Sequence, residues 1–111
     1  MTLEEVRDQL LVRGVHADCR DGRITASHEG SVAWVEPDVV GELEREYEPD
    51  ELTRIEGLIG NWDGFVIDYR STGAAEAVVA GVCARWPCVV DDEAGFIGLG
   101  AEYLAGTRGQ E

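Results

Sequence analysis

Asp68, Asp91, Asp92 and Glu93 are the residues of this chain whose types and spacing come nearest to a reactive set. If the apolar segments 65–69 and 88–91 are parallel neighbours in a sheet, Asp68 and Asp91 share its C-terminal edge, where open sheets place their sites. Carboxylates gathered there could hold Mg²⁺ or Ca²⁺, or exchange protons in acid–base work. The D-x-D-x-D-G order of a calcium loop is absent, and no histidine or lysine lies nearby in sequence to complete a hydrolytic set. Residues 91–95, Asp-Asp-Glu-Ala-Gly, read equally as a solvated hairpin connection.

His16 and His28 are the only histidines, with Asp18 and Cys19 close by as conceivable zinc ligands. Opposite parity on two paired strands would send the two rings to opposite faces, so a shared metal is not expected. Cys83 and Cys88 stand five apart across Pro87, which is not the C-x-x-C spacing of a redox pair. Cys83 sits among apolar residues and reads as a small hydrophobe. The chain has no lysine, which removes phosphate loops of the G-x-x-x-x-G-K type, Schiff-base chemistry and kinase-type ATP clamps. Gly98 and Gly100 lack the third glycine of a dinucleotide fingerprint. The reading is of a non-enzymatic chain without cofactor or metal.

Charge is the strongest global signal. Nine arginines against twenty-three carboxylates give a net charge of −14 over 111 residues. Phosphate neutralisation needs the opposite excess, so nucleic acid and anionic membrane surfaces are poor partners. Half of that charge, −7, falls between Glu36 and Glu56. A charge run is usually a solvated helical face, but this one exceeds what solubility needs and repels itself in the fold. Glu42, Glu44, Glu46 and Glu48 could therefore form a docking face for a basic protein, with Tyr47, Trp34 and Trp62 as aromatic anchors. An immunity- or antitoxin-type inhibitor would need such a face. The alternatives are a small enzyme using the Asp68/Asp91/Asp92 edge and a structural subunit completed by self-association.

The elements that must carry these residues are legible in outline. Thr2 and Glu5 make a capping box ahead of a helix over 3–13, with Leu3, Val6 and Leu10 on one face and Gly14 as its stop. Asp21-Gly22 predicts a two-residue hairpin turn that sets Cys19 opposite Ile24 and Ala17 opposite Ala26. A third strand spans 31–36. A tight turn at Glu29-Gly30 would send Ala33 and Val35 inward and Trp34 outward, and a longer loop would reverse them. Pro49 divides the acidic middle into two short helices, one with Val40, Leu43 and Tyr47 on a face, the next with Leu52, Ile55, Leu58 and Ile59. Residues 65–69 read as a central strand. Ser71 or Thr72 then caps a helix over 73–85 that is apolar nearly all round, hence buried. Strands at 88–90 and 96–99 and a short helix at 101–104 complete the order.

The predicted fold is α+β, a single domain over residues 1–111. Its sheet is mixed, of about five or six strands, with helices mainly on one face and a right-handed parallel crossover from 65 to 90. No run reaches the roughly 18 apolar residues of a membrane span. The acidic start Met1-Thr2-Leu3-Glu4-Glu5 is unlike a signal peptide, and three cysteines, an odd count, fit reduced thiols; both predict a cytoplasmic protein. Arginine in place of all lysine fits a high-GC bacterial genome.

Overall fold

Thr2 opens helix α1 (Leu3–Val12) as the spacing predicts. Its hydroxyl accepts from the Glu5 N–H at 3.2 Å while the Glu5 carboxylate accepts from the Thr2 N–H at 2.8 Å. The computed structural model describes residues 2–38, 41–60, 62–70, 72–91 and 97–109. Val6 and Leu10 are the buried stripe of α1, and they face a sheet built from β1 (His16–Arg20), β2 (Arg23–His28) and β3 (Ser31–Pro37).

Two turns fix the register of that sheet. Asp21 and Gly22 both adopt positive φ, 52° and 77°, as a type I′ turn requires, and Cys19 then pairs with Ile24 and Ala17 with Ala26. Glu29 and Gly30 repeat the device at 51° and 81°, so His28 pairs with Ser31. This is the tight-turn register: Ala33 and Val35 are buried inward and Trp34 lies on the outer face. His16 and His28 differ in parity and fall on opposite faces of the hairpin.

β4 (Phe65–Tyr69) runs antiparallel to β3, with Val35 opposite Ile67 and Trp34 opposite Asp68. The sheet order is β1-β2-β3-β4, which corrects two expectations. Residues 65–69 form an edge strand rather than a central one. Among the described residues the parallel crossover is absent: β5 (Val89–Asp91) pairs antiparallel with β6 (Ile97–Leu99) in a separate two-stranded sheet. The described residues hold six strands in an α+β fold, but they divide into two antiparallel sheets. The reason is visible in β4. Parallel strands are buried on both faces, whereas Val66 and Asp68 of β4 are exposed.

α4 (Thr72–Cys83) packs over the inner face beside α1, burying Ala74, Ala75, Val78 and Val79. Val78 and Val79 are buried as expected, while Val82 and Phe65 are only half-buried. Thr72 is the first residue of α4, and the Ala74 N–H is satisfied by the Ser31 hydroxyl at 2.9 Å. Ser71, the other expected cap, lies outside the described residues, as do Val40 and Asp92 to Phe96. Where α4 ends, Cys83 and Cys88 are joined by a disulfide, with Cα atoms 5.9 Å apart. This corrects the expectation of reduced thiols throughout and removes the cysteine argument for the cytosol. α4 ends at Cys83, and a turn over residues 84–85 with a bend at Trp86 folds the chain back, bringing Cys88 within bridging distance. Cys19 is a free thiol.

Pro49 divides the acidic middle as expected, into α2 (Glu42–Glu46) and α3 (Pro49–Ile59). Ile55 is buried, Leu52 and Ile59 are half-buried, and Leu58 is exposed. α5 (Gly100–Gly109) is longer than the four residues expected and packs against α4. Among the described residues, no helix is long and apolar enough to cross a membrane.

Candidate functional site: an aromatic-lined cleft with an acidic mouth

The inner face of β4 is only partly covered by α4. The space left over is a cleft of about 530 Å³. Phe65 and Ile67 of β4, Val78 and Val82 of α4, Ile55 and Ile59 of α3, and Val89 and Val90 of β5 line it, with Trp62, Trp86 and Tyr103. Leu43 of α2 also lines it, and α2 is held by two local contacts. The Asp38 carboxylate accepts from the Leu43 N–H at 2.9 Å, and Gly64 lets the Leu43 side chain approach β4. A β-carbon at Gly64 would sit 2.9 Å from Leu43 Cδ1.

Tyr47 joins the acidic helices to the second sheet. Its hydroxyl donates to Asp91 Oδ2 at 2.8 Å, and its ring meets Trp62 edge-on, 6.4 Å between centroids at 71°. Partial burial raises the Tyr47 pKa well above its ordinary value, and the hydrogen bond to Asp91 and the charges of Asp91, Glu51 and Glu46 raise it further. A raised native pKa stabilises the fold fully below the unfolded value of 10.0 and is lost as pH rises through the native one. Denaturant midpoints should therefore fall from about pH 10 upward. Tyr47→Phe should flatten that fall while leaving a lower midpoint at neutral pH; parallel alkaline profiles for the two proteins would show that Tyr47 is not the titrating group.

The sequence-predicted residues are only partly brought together. Tyr47 and Trp62 meet. Trp34 does not join them: it lies on the outer face of the sheet, with the Arg23 and Arg70 guanidinium carbons 5.9 and 5.8 Å from its ring centroid. Glu46 and Glu48 are exposed, and Glu48 also caps α3 in a reciprocal box with Glu51. Glu42 and Glu44 lie in α2, but their side chains are outside the described set. Asp68 faces outward opposite Trp34, whereas Asp91 binds Tyr47 from the other sheet. The shared edge assumed for these two carboxylates does not form. Asp92 and Glu93 lie outside the described residues.

His16 and Asp18 make an exposed pair at 3.1 Å. Among the described residues, no three His, Cys, Asp or Glu side chains converge as metal ligands would.

Sequence reasoning missed Asp91 as the acceptor for Tyr47, and it missed Trp86 and Tyr103 as wall residues. One signal was present: a helix apolar all round, α4, must be covered on more sides than one sheet can cover. The chain matches no protein-family model, no curated protein and no solved structure.

Proposed function

We propose that this chain is a non-enzymatic binding module for a basic protein partner, as an immunity- or antitoxin-type inhibitor would be. The observation that carries the reading is uncompensated charge on α2 and α3. Among the described residues, Glu46, Glu48, Asp50, Glu51 and Glu56 form no ion pair, although Arg45 and Arg54 lie on the same helices. Tyr47 and Trp62 border this face and supply aromatic anchors. Trp34, on the opposite side of the sheet, is left out of the docking set.

Long-range attraction acts on encounter before it acts on residence. Changing Glu42, Glu44, Glu46 and Glu48 together to Gln should slow association with the partner about tenfold at low salt, with dissociation changed less than about threefold. Gln keeps an acceptor oxygen at position 48, so the α3 cap survives and folding should be unharmed. Stopped-flow mixing with the partner, once isolated, is the measurement. Equal association rates for the two proteins at low salt would leave these carboxylates as a solvated surface only.

A further inference from the structure

Two of the three tryptophans already hold a cation. Arg23 and Arg70 flank Trp34, and the Arg85 guanidinium carbon lies 4.5 Å from the centroid of Trp86. Trp62 is different. Among the described residues its ring partner is Tyr47, and no arginine lies over it. Trp62 lines the 530 Å³ cleft, whose lining among the described residues includes Asp63, Asp68 and Asp91 and no positively charged side chain. A volume of this size is typical of small-molecule sites. The walls ask for an apolar body, and the mouth decides the head group. An anionic head would meet like charge in a partly dry setting, while an ammonium would meet a carboxylate and the negative face of an indole together.

We propose that the cleft binds a small organic cation with an apolar body, an aryl- or alkylammonium, its head group between Trp62 and Asp91 and its body directed toward Phe65 and Val82. Tyr47 is a positioning residue. Its hydroxyl holds Asp91 and its ring holds Trp62, so both recognition groups are set before the ligand arrives. The inference does not rest on a protein partner, and its failure would leave the association-rate test of the docking face untouched.

Three probes share one aryl body: 2-phenylethylammonium, 2-phenylethanol and 3-phenylpropanoate. Titration of the full chain at low salt, followed by calorimetry and tryptophan fluorescence, should rank them in that order. The cation should bind at least about tenfold tighter than the alcohol. Asp91→Asn keeps an acceptor for Tyr47 and should erase most of that preference while leaving the alcohol's affinity within about twofold. Glu29→Gln removes a distant carboxylate from the β2–β3 turn and should change neither. No binding of any probe, equal binding of all three, a cation preference that survives Asp91→Asn, or one that falls equally in Asp91→Asn and Glu29→Gln would each overturn the proposal. The last outcome would mark diffuse attraction to an acidic protein in place of a site.

Discussion

Val78→Asp should destabilise the protein by about 3–5 kcal/mol at 25 °C. Val78 is 1% exposed in the middle of α4, within the core cluster that includes Leu10, Ile24 and Ala33. No buried polar or charged residue is found among the described residues, so a new carboxylate there has no partner. It must stay ionised without compensation, take up a proton, or expel the helix. An uncompensated buried charge costs about 3–5 kcal/mol, a large share of the roughly 5–15 kcal/mol that holds a small domain. Val82→Asp is the informative contrast. Val82 is half-buried on the cleft wall, where a carboxylate can turn toward water. Its cost should fall to about 1–2 kcal/mol, and a cooperative transition should survive. Far-UV circular dichroism with urea titration of both variants is the check. A Val78→Asp protein that keeps a wild-type midpoint, or a Val82→Asp protein that is the more damaged of the two, would show that α4 is rotated from the placement described.

The difference between those two valines also shows where sequence reading stops. Local rules were sufficient wherever one segment determines its own geometry. Thr2 with Glu5 set the start of α1, Asp21-Gly22 set the hairpin register, and Pro49 set the break between α2 and α3. The β3 register depended on the length of one turn, and the positive φ of Glu29 resolved it. Failures came where two distant segments must choose each other. The spacing of β4 and β5 around α4 invited a parallel pair, but β4 is an edge strand of the first sheet with Asp68 exposed. Cys83 and Cys88, five apart across Pro87, did not read as a redox pair. The helix in fact ends at Cys83, and the chain doubles back. The cleft left no local pattern at all, because its walls come from α3, α4, β4, β5 and α5 and meet only in the folded chain. Tyr47 and Trp62 were legible as border aromatics. The partnership of Tyr47 with Asp91 was not, since 44 residues separate them.

Gly100→Ala should destabilise the protein by about 3 kcal/mol, at the upper end of ordinary overpacking, and the loss should depend on the disulfide. Gly100 is buried where α5 begins, and its N–H donates to the Cys88 carbonyl at 3.0 Å. A β-carbon there would collide with Cys83 Sγ, approach Cys88 Sγ to 2.9 Å and lie 3.5 Å from Val79 Cγ1. The bridge cannot retreat easily, because both its ends are fixed, one at the close of α4 and the other at the start of β5. The backbone of α5 must therefore shift, loosening the wall that carries Tyr103. Replacing both cysteines by alanine should itself cost about 2 kcal/mol, from the closed loop of six residues that is lost. In that background the sulfur atoms are gone, and adding the methyl group of Gly100→Ala should cost less than about 1 kcal/mol, partly offset by better helix propensity. A double-mutant cycle should thus return a coupling of about 2 kcal/mol or more between position 100 and the cysteine pair. Additive losses would mean that Gly100 is sensitive for a reason other than its contact with the sulfurs, such as the backbone bond to Cys88. A Gly100→Ala protein as stable as wild type would show that α5 does not seat against the bridge, and the cleft would lose the wall that α5 supplies.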